Sequence, residues 1–127
     1  MITFTKEQVL LLHKAIFERY GGSYGVRDES LLDSALKAPF MTFGGEDLYP
    51  DELEKIVRFG FGLVSNHPFH DGNKRIGALV LLTLLELNGY KIDATNKEFS
   101  DIIYDVASGS EGKDFEDLLD WIRKHTR

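Results

Sequence analysis

Apolar positions recur with helical spacing in six separate stretches of this chain, and the residues between them are turn and cap formers. Val9, Leu12 and Ile16 line one face of a helix predicted from about Lys6 to Tyr20, with Thr5 and Gln8 spaced as a capping box and Gly21-Gly22 ending it. Asp28 is placed to cap a short second helix through Leu31, Leu32, Ala35 and Leu36, which Pro39 stops. A third helix, from about Asp51 to Asn66, is opened by Pro50 and an acidic first turn and turns Ile56, Phe59, Gly60, Leu63 and Val64 inward. Between Ile76 and Leu85 only Gly77 and Thr83 are not apolar, so the fourth helix is expected to have no solvated face and to be the one the others wrap around. It is too short to span a bilayer, which needs about 20 apolar residues.

Asn88-Gly89 reads as a C-cap, and Tyr90-Lys91-Ile92 as a short extended link. Phe99, Ile102, Ile103 and Val106 mark a fifth helix from about Asn96 to Ala107, broken by the stretch from Ser108 to Gly112. A sixth, from about Phe115 to Lys124, is expected to bury Phe115, Leu118, Leu119 and Ile122, with Trp121 in the core or at a partner interface. The expected fold is an all-α bundle of about six helices around a central buried helix, forming a single domain over residues 1–127.

The connection from Phe40 to Tyr49 carries five large apolar side chains without helical periodicity. Such a loop is either packed down or binds something, and packing is the commoner outcome. His13, inside the first helix, has no histidine or carboxylate four residues on and reads as an ordinary helix residue rather than a ligand. Arg27 is either structural or a phosphate contact.

With 127 residues and no cysteine the chain is long enough for a real core and has no disulfide framework. No hydrophobic signal segment opens it, which places the expected site of action in a cytoplasm. A net charge of -6 argues against direct nucleic-acid binding, which needs a basic patch, and suits a basic partner better.

Candidate chemistry is concentrated in His67-Pro68-Phe69-His70-Asp71-Gly72-Asn73-Lys74-Arg75, just before the fourth helix. Lys74 and Arg75 occupy a first helical turn, where the helix dipole and free N–H groups already present positive charge, so an anion is expected there. Gly72 lets the backbone approach a ligand, and the N–H groups of Asn73, Lys74 and Arg75 would then converge on a phosphate. Asp71 alone is a poor cage for a cation but suits magnesium shared with phosphate oxygens and water. His67 is the group that can take up a proton near neutral pH. His70 is read as facing solvent and Phe69 as pointing into the core. Taken singly these residues have plainer readings: Asp71 an N-cap, Gly72 a turn residue, His67 a half-buried imidazole. Together they are the parts of phosphoryl or nucleotidyl transfer from a nucleoside triphosphate.

The same string resembles the signature of the Fic/Doc superfamily, and its Gly-Asn-Lys-Arg ending resembles the Doc branch, the death-on-curing toxins of bacterial toxin–antitoxin pairs. Gly21-Gly22-Ser23-Tyr24-Gly25-Val26-Arg27-Asp28, Leu31-Leu32, Ser34-Ala35-Leu36 and Tyr49-Pro50 are similar to segments that Doc proteins carry upstream of it. The resemblance implies a Fic-like helical bundle and a flap near Phe40 to Tyr49 that lies over the site and aligns a target by strand-like pairing, which Gly44 and Gly45 would permit. It implies a toxin that acts as a kinase, moving the γ-phosphate of ATP or another nucleoside triphosphate to a hydroxyl of a translation factor, elongation factor Tu, and so halting translation. In that reading His67 is the base, Asp71 holds Mg2+, and Gly72, Asn73, Lys74 and Arg75 bind the nucleotide.

Nucleotidyl-transferring relatives usually read Gly-Asn-Gly-Arg with a further arginine three residues later, whereas this chain has Lys74 and Ala78 there. A Fic-type nucleotidyltransferase and a non-catalytic partner-binding module stand as the alternatives. Some Fic proteins carry an inhibitory Ser/Thr-x-x-x-Glu-Gly/Asn helix. Here Glu111-Gly112 has Ala107 where the hydroxyl belongs, and Thr42…Glu46 is followed by Asp47, so inhibition is expected from a separate antitoxin.

Overall fold

The structure is a computed structural model that describes residues 1–109 and 112–127. Ser110 and Glu111, which fall in the expected break after the fifth helix and in the inhibitory-pattern comparison, lie outside the described residues. Helices form where the periodicity places them: α1 over Lys6–Tyr20, α2 over Glu29–Lys37, α3 over Glu52–Asn66, α4 over Asn73–Leu87, α5 over Asn96–Ser108 and α6 over Phe115–Lys124. Thr5 and Asp28 cap α1 and α2 as expected, and Asp51, expected as the first residue of the third helix, is its N-cap instead. Thr5 with Gln8 and Thr95 with Glu98 form reciprocal capping boxes, and the Asp28 and Asp51 carboxylates accept from the Leu31 and Leu53 N–H groups. Gly21 at φ 77° and Gly109 at φ 67° end α1 and α5. Pro39 lies in a 3-10 turn, Ala38–Phe40, that finishes α2.

Helix α3 packs against α2, the 3-10 turn, α4, α5 and α6, and α4 packs against α1, α3 and α5, so the centre of the bundle is an α3–α4 pair. Glycine sets how closely these two approach. A Cβ on Gly77 would collide with the Val64 side chain and stand 3.1 Å from the Gly60 carbonyl oxygen; one on Gly60 would stand 2.9 Å from the Leu81 Cβ. Ile76, Val80, Leu81, Leu84 and Leu85 are buried on α4. The expectation that α4 has no solvated face does not hold, because Leu79 and Leu82 are each 37% exposed. Helices α1, α3 and α5 cover three sides of α4, and the fourth side lies open. No helix among the described residues is long and apolar enough to cross a membrane.

The Phe40–Tyr49 connection does not pack down. Thr42–Phe43 (β1) and Glu46–Asp47 (β2) pair antiparallel across Gly44-Gly45, which take φ 59° and 83°, the positive values that a two-residue hairpin turn requires. Phe43 at its tip is 80% exposed. The root is fixed instead: the Lys55 ammonium pairs with Asp47 at 3.0 Å and donates to the Tyr49 carbonyl, and the Tyr49 ring meets Phe115 edge-on at 5.3 Å. Phe115, expected to be buried, is only half covered. Trp121 is core-directed, stacking on His125 at 4.0 Å and leaning on Phe99 at 5.9 Å. The 90–92 link is extended as expected and pairs with the C-terminus through Lys91–Arg127 backbone bonds and an Ile92–Thr126 bridge.

Candidate active site

Helix α3 ends at Asn66, and His67 follows in the left-handed region at φ 49°, ψ 54°. Among the described residues it is the non-glycine residue with positive φ. Such a conformation costs on the order of 1–3 kcal/mol and persists where the surroundings impose it. Arg27 supplies part of that restraint, its Nε and Nη2 donating to the His67 carbonyl at 2.9 and 2.7 Å and Nη2 also reaching the Asn66 carbonyl at 3.4 Å. Of the two readings left open for Arg27, its contacts favour the structural one.

The segment after His67 is held like a strand. The Pro68 carbonyl accepts from the Arg27 and Asp28 N–H groups at 2.8 and 3.1 Å, and the His70 N–H donates to the Gly25 carbonyl at 3.1 Å. Between them Phe69 is buried, as the sequence suggested. Its ring stacks on His13 at 3.8 Å between centroids and 7° between planes. His13 is 3% exposed, and its Nε2 donates to the Asp71 carbonyl at 2.7 Å. Reading His13 as an ordinary helix residue thus missed its part in shaping the loop. The signal was available, since position 13 shares the buried face with Val9 and Ile16.

Gly72, at φ 77°, is the N-cap of α4, and no side chain caps this helix. The plainer reading of Asp71 as the N-cap is therefore set aside: its Oδ1 accepts from the Gly72 N–H at 2.9 Å, one step outside the helix. The first helical bond is Ile76 N–H to the Gly72 carbonyl, which leaves the N–H groups of Asn73, Lys74 and Arg75 without intrahelical partners. Free N–H groups at a helix start are the arrangement that can accept an anion. The Asn73 side chain is not offered to a ligand. Its amide oxygen accepts from the Phe69 N–H and its nitrogen donates to the Phe69 carbonyl, both at 3.0 Å, so Asn73 contributes its backbone N–H and shapes the loop with its side chain.

The two cations diverge. The Lys74 ammonium lies 5.3 Å over the Tyr104 ring of α5, and the Arg75 guanidinium 4.2 Å over the Tyr20 ring of α1. Between the loop and α5 is an open cleft of about 650 Å3. His67, His70, Asp71–Arg75 and Ala78 line it on the loop and α4 side, and Ser100, Asp101, Ile103 and Tyr104 on the α5 side. His70 is exposed as expected and borders this cleft. The α5 wall was not foreseen, because it is assembled by tertiary packing and carries no local motif. No hairpin residue borders the cleft. The cleft thus brings together all six residues proposed from the sequence.

Among the described residues no three histidine or carboxylate side chains gather into a metal cage. The donor set fits magnesium in one way. Asp71 offers a carboxylate whose Oδ1 is already turned by the Gly72 N–H and whose Oδ2 lies against Gly22, where a Cβ would collide with it. One such carboxylate at the mouth of a phosphate cradle suits an ion whose other ligands are phosphate oxygens and water.

The family model described as the Fic/DOC family matches residues 3–85. The Toxin Doc of Mycolicibacterium smegmatis (strain ATCC 700084 / mc(2)155) is 39% identical over 75 residues, which is 59% of this chain and 58% of that protein. The match thus spans little more than half the length of that relative.

Proposed function

This chain belongs to the Fic/DOC family, in its Doc branch, and on that premise we propose that it is the toxin of a toxin–antitoxin pair that transfers phosphate to a protein hydroxyl. The observation that carries the reading is the cleft itself, in which His67 borders the same cavity as three unpartnered N–H groups at the start of α4. The co-substrate is ATP or another nucleoside triphosphate. The acceptor is a hydroxyl of a translation factor, elongation factor Tu, and its modification halts translation in the cytoplasm.

The imidazole of His67, exposed on the wall of the cleft, accepts the proton of the attacking hydroxyl. The N–H groups of Asn73, Lys74 and Arg75 bind the phosphate that is to be moved, with the helix dipole behind them. Asp71 would hold Mg2+, which neutralises phosphate charge when bound. The Lys74 ammonium, on the cleft side of the loop, follows the transferred group. Lysine at this position fills the space that a glycine would leave for inner phosphates, and Ala78 offers no charge to clamp outer phosphates as a leaving group. The γ-phosphate is then the one that faces His67.

The test uses elongation factor Tu with ATP labelled at either the γ or the α position. Transfer of the γ label alone is the expected result. Transfer of the α label alone overturns the kinase reading in favour of nucleotidyl transfer, and no transfer with Mg-ATP bound favours a non-catalytic module. Undiminished phosphate transfer by Lys74→Gly removes Lys74 as the determinant. Growth arrest on expression of the chain without a partner supports the toxin reading and the separate antitoxin.

A further inference from the structure

The backbone at His67 is not what its local sequence prefers. A residue before proline is pushed toward extended conformations, and a left-handed residue after a helix is most often glycine. His67 is neither extended nor glycine, and Pro68 follows it. A contact from elsewhere in the chain must hold it. Arg27 makes that contact from 40 residues away in sequence, placing two donors of one guanidinium on the His67 carbonyl. Its own backbone is tied to the same loop, since its N–H donates to the Pro68 carbonyl at 2.8 Å. The arm that reaches His67 therefore starts from a fixed point.

We propose that Arg27 is the positioning residue of His67, holding the left-handed backbone that turns the imidazole into the cleft. The inference rests on His67 being the base of the transfer reaction. Were His67 to relax to negative φ, the direction of its Cα–Cβ bond would change and carry the imidazole away from the phosphate cradle. Arginine suits the task because its planar fork delivers two fixed donors, where lysine offers one point charge on a flexible stem.

Arg27→Lys and Arg27→Met are compared with wild type in the transfer assay, alongside thermal stability and the backbone NMR shifts of His67. A displaced base costs on the order of 10–100-fold in rate. The expected result is a loss of that size in kcat for Arg27→Met, a smaller loss for Arg27→Lys, KM for Mg-ATP within about 2-fold of wild type, and shifted His67 resonances. A lowered melting temperature with unchanged kcat overturns the proposal, since Arg27 would then only finish α3. A raised KM with kcat retained overturns it too, since Arg27 would then be a phosphate contact. The NMR arm needs no activity: His67 resonances unchanged in Arg27→Met overturn the proposal even where the wild type transfers nothing, an outcome that by itself would count against the function and not against Arg27.

Discussion

The Nε2 of His13 donates to the carbonyl of Asp71 at 2.7 Å while its ring lies flat on Phe69, so one buried side chain of α1 holds the loop at two points. The bond fixes the tautomer, because a carbonyl can only accept: the proton is on Nε2. His13→Phe keeps the stacked ring and removes the donor. An unsatisfied carbonyl costs about 1–3 kcal/mol, so the urea midpoint is expected to fall by a corresponding amount. The Mg2+ concentration for half-maximal nucleotide binding is expected to rise as the Asp71 backbone loosens. Unchanged stability and unchanged magnesium dependence together would remove His13 from the support of the loop.

For His67 the expected result separates chemistry from packing. The residue is exposed, so His67→Ala leaves the melting temperature near that of wild type. Loss of a general base costs on the order of 10²–10⁴ in rate, and growth arrest should disappear with it. A variant that remains toxic at equal expression would show that another group takes the proton.

What was legible in the sequence was local. Helix bounds followed from period and, at Thr5 and Asp28, from caps, because these side chains act on N–H groups three residues away. The uncapped start of α4 was legible for the same reason, as Gly72 and the three N–H groups after it are contiguous. What was not legible depends on contacts distant in sequence. Periodicity could not show that α4 leaves Leu79 and Leu82 open, since that depends on how many helices surround it. Nor could it tell that the apolar 40–49 segment stands away as a hairpin, because hydrophobicity alone does not say whether a loop finds a surface to cover. The side chains of Arg27 and His13 find their partners 40 and 58 residues onward.

The α3–α4 crossing is open to a stability test. At Gly77 an added methyl would collide with Val64 and press on the Gly60 carbonyl, and backbone on both sides leaves little room to yield. Overpacking of this kind costs about 1–3 kcal/mol. Gly77→Ala should lower the urea midpoint accordingly, while Gly89→Ala, which meets open space but sits at φ 89°, reports the cost of backbone strain alone. Equal stability of Gly77→Ala and wild type would mean that the helices separate freely.

Acid should weaken the junction between α2 and the loop. The Ser30 hydroxyl and the Leu31 N–H hold the Asp28 carboxyl below the usual carboxylate range. A depressed folded-state value means that the stabilisation is present above the unfolded value, near pH 4, and is lost as pH falls through the folded one. Asp28→Asn keeps an acceptor for the cap but does not titrate. Its urea midpoint should therefore fall less than that of wild type between pH 6 and pH 3. Parallel loss in both proteins would place the acid sensitivity elsewhere.

Asp71 carries two separable tasks, one for its carboxylate charge and one for its acceptor. Oδ1 accepts from the Gly72 N–H, which an asparagine oxygen would do equally well, whereas attraction of a divalent cation needs the charge. Asp71→Asn is therefore expected to keep wild-type stability and the shape of the loop while losing the increment in ATP affinity that magnesium provides. Asp71→Ala should lose that increment and also release the Gly72 N–H to water, a smaller effect because the carboxylate is exposed. Calorimetric titration of ATP with magnesium and with EDTA reads both. If wild type and Asp71→Asn gain equally from magnesium, the ion is held by phosphate alone, and Asp71 serves the turn at Gly72 and nothing more.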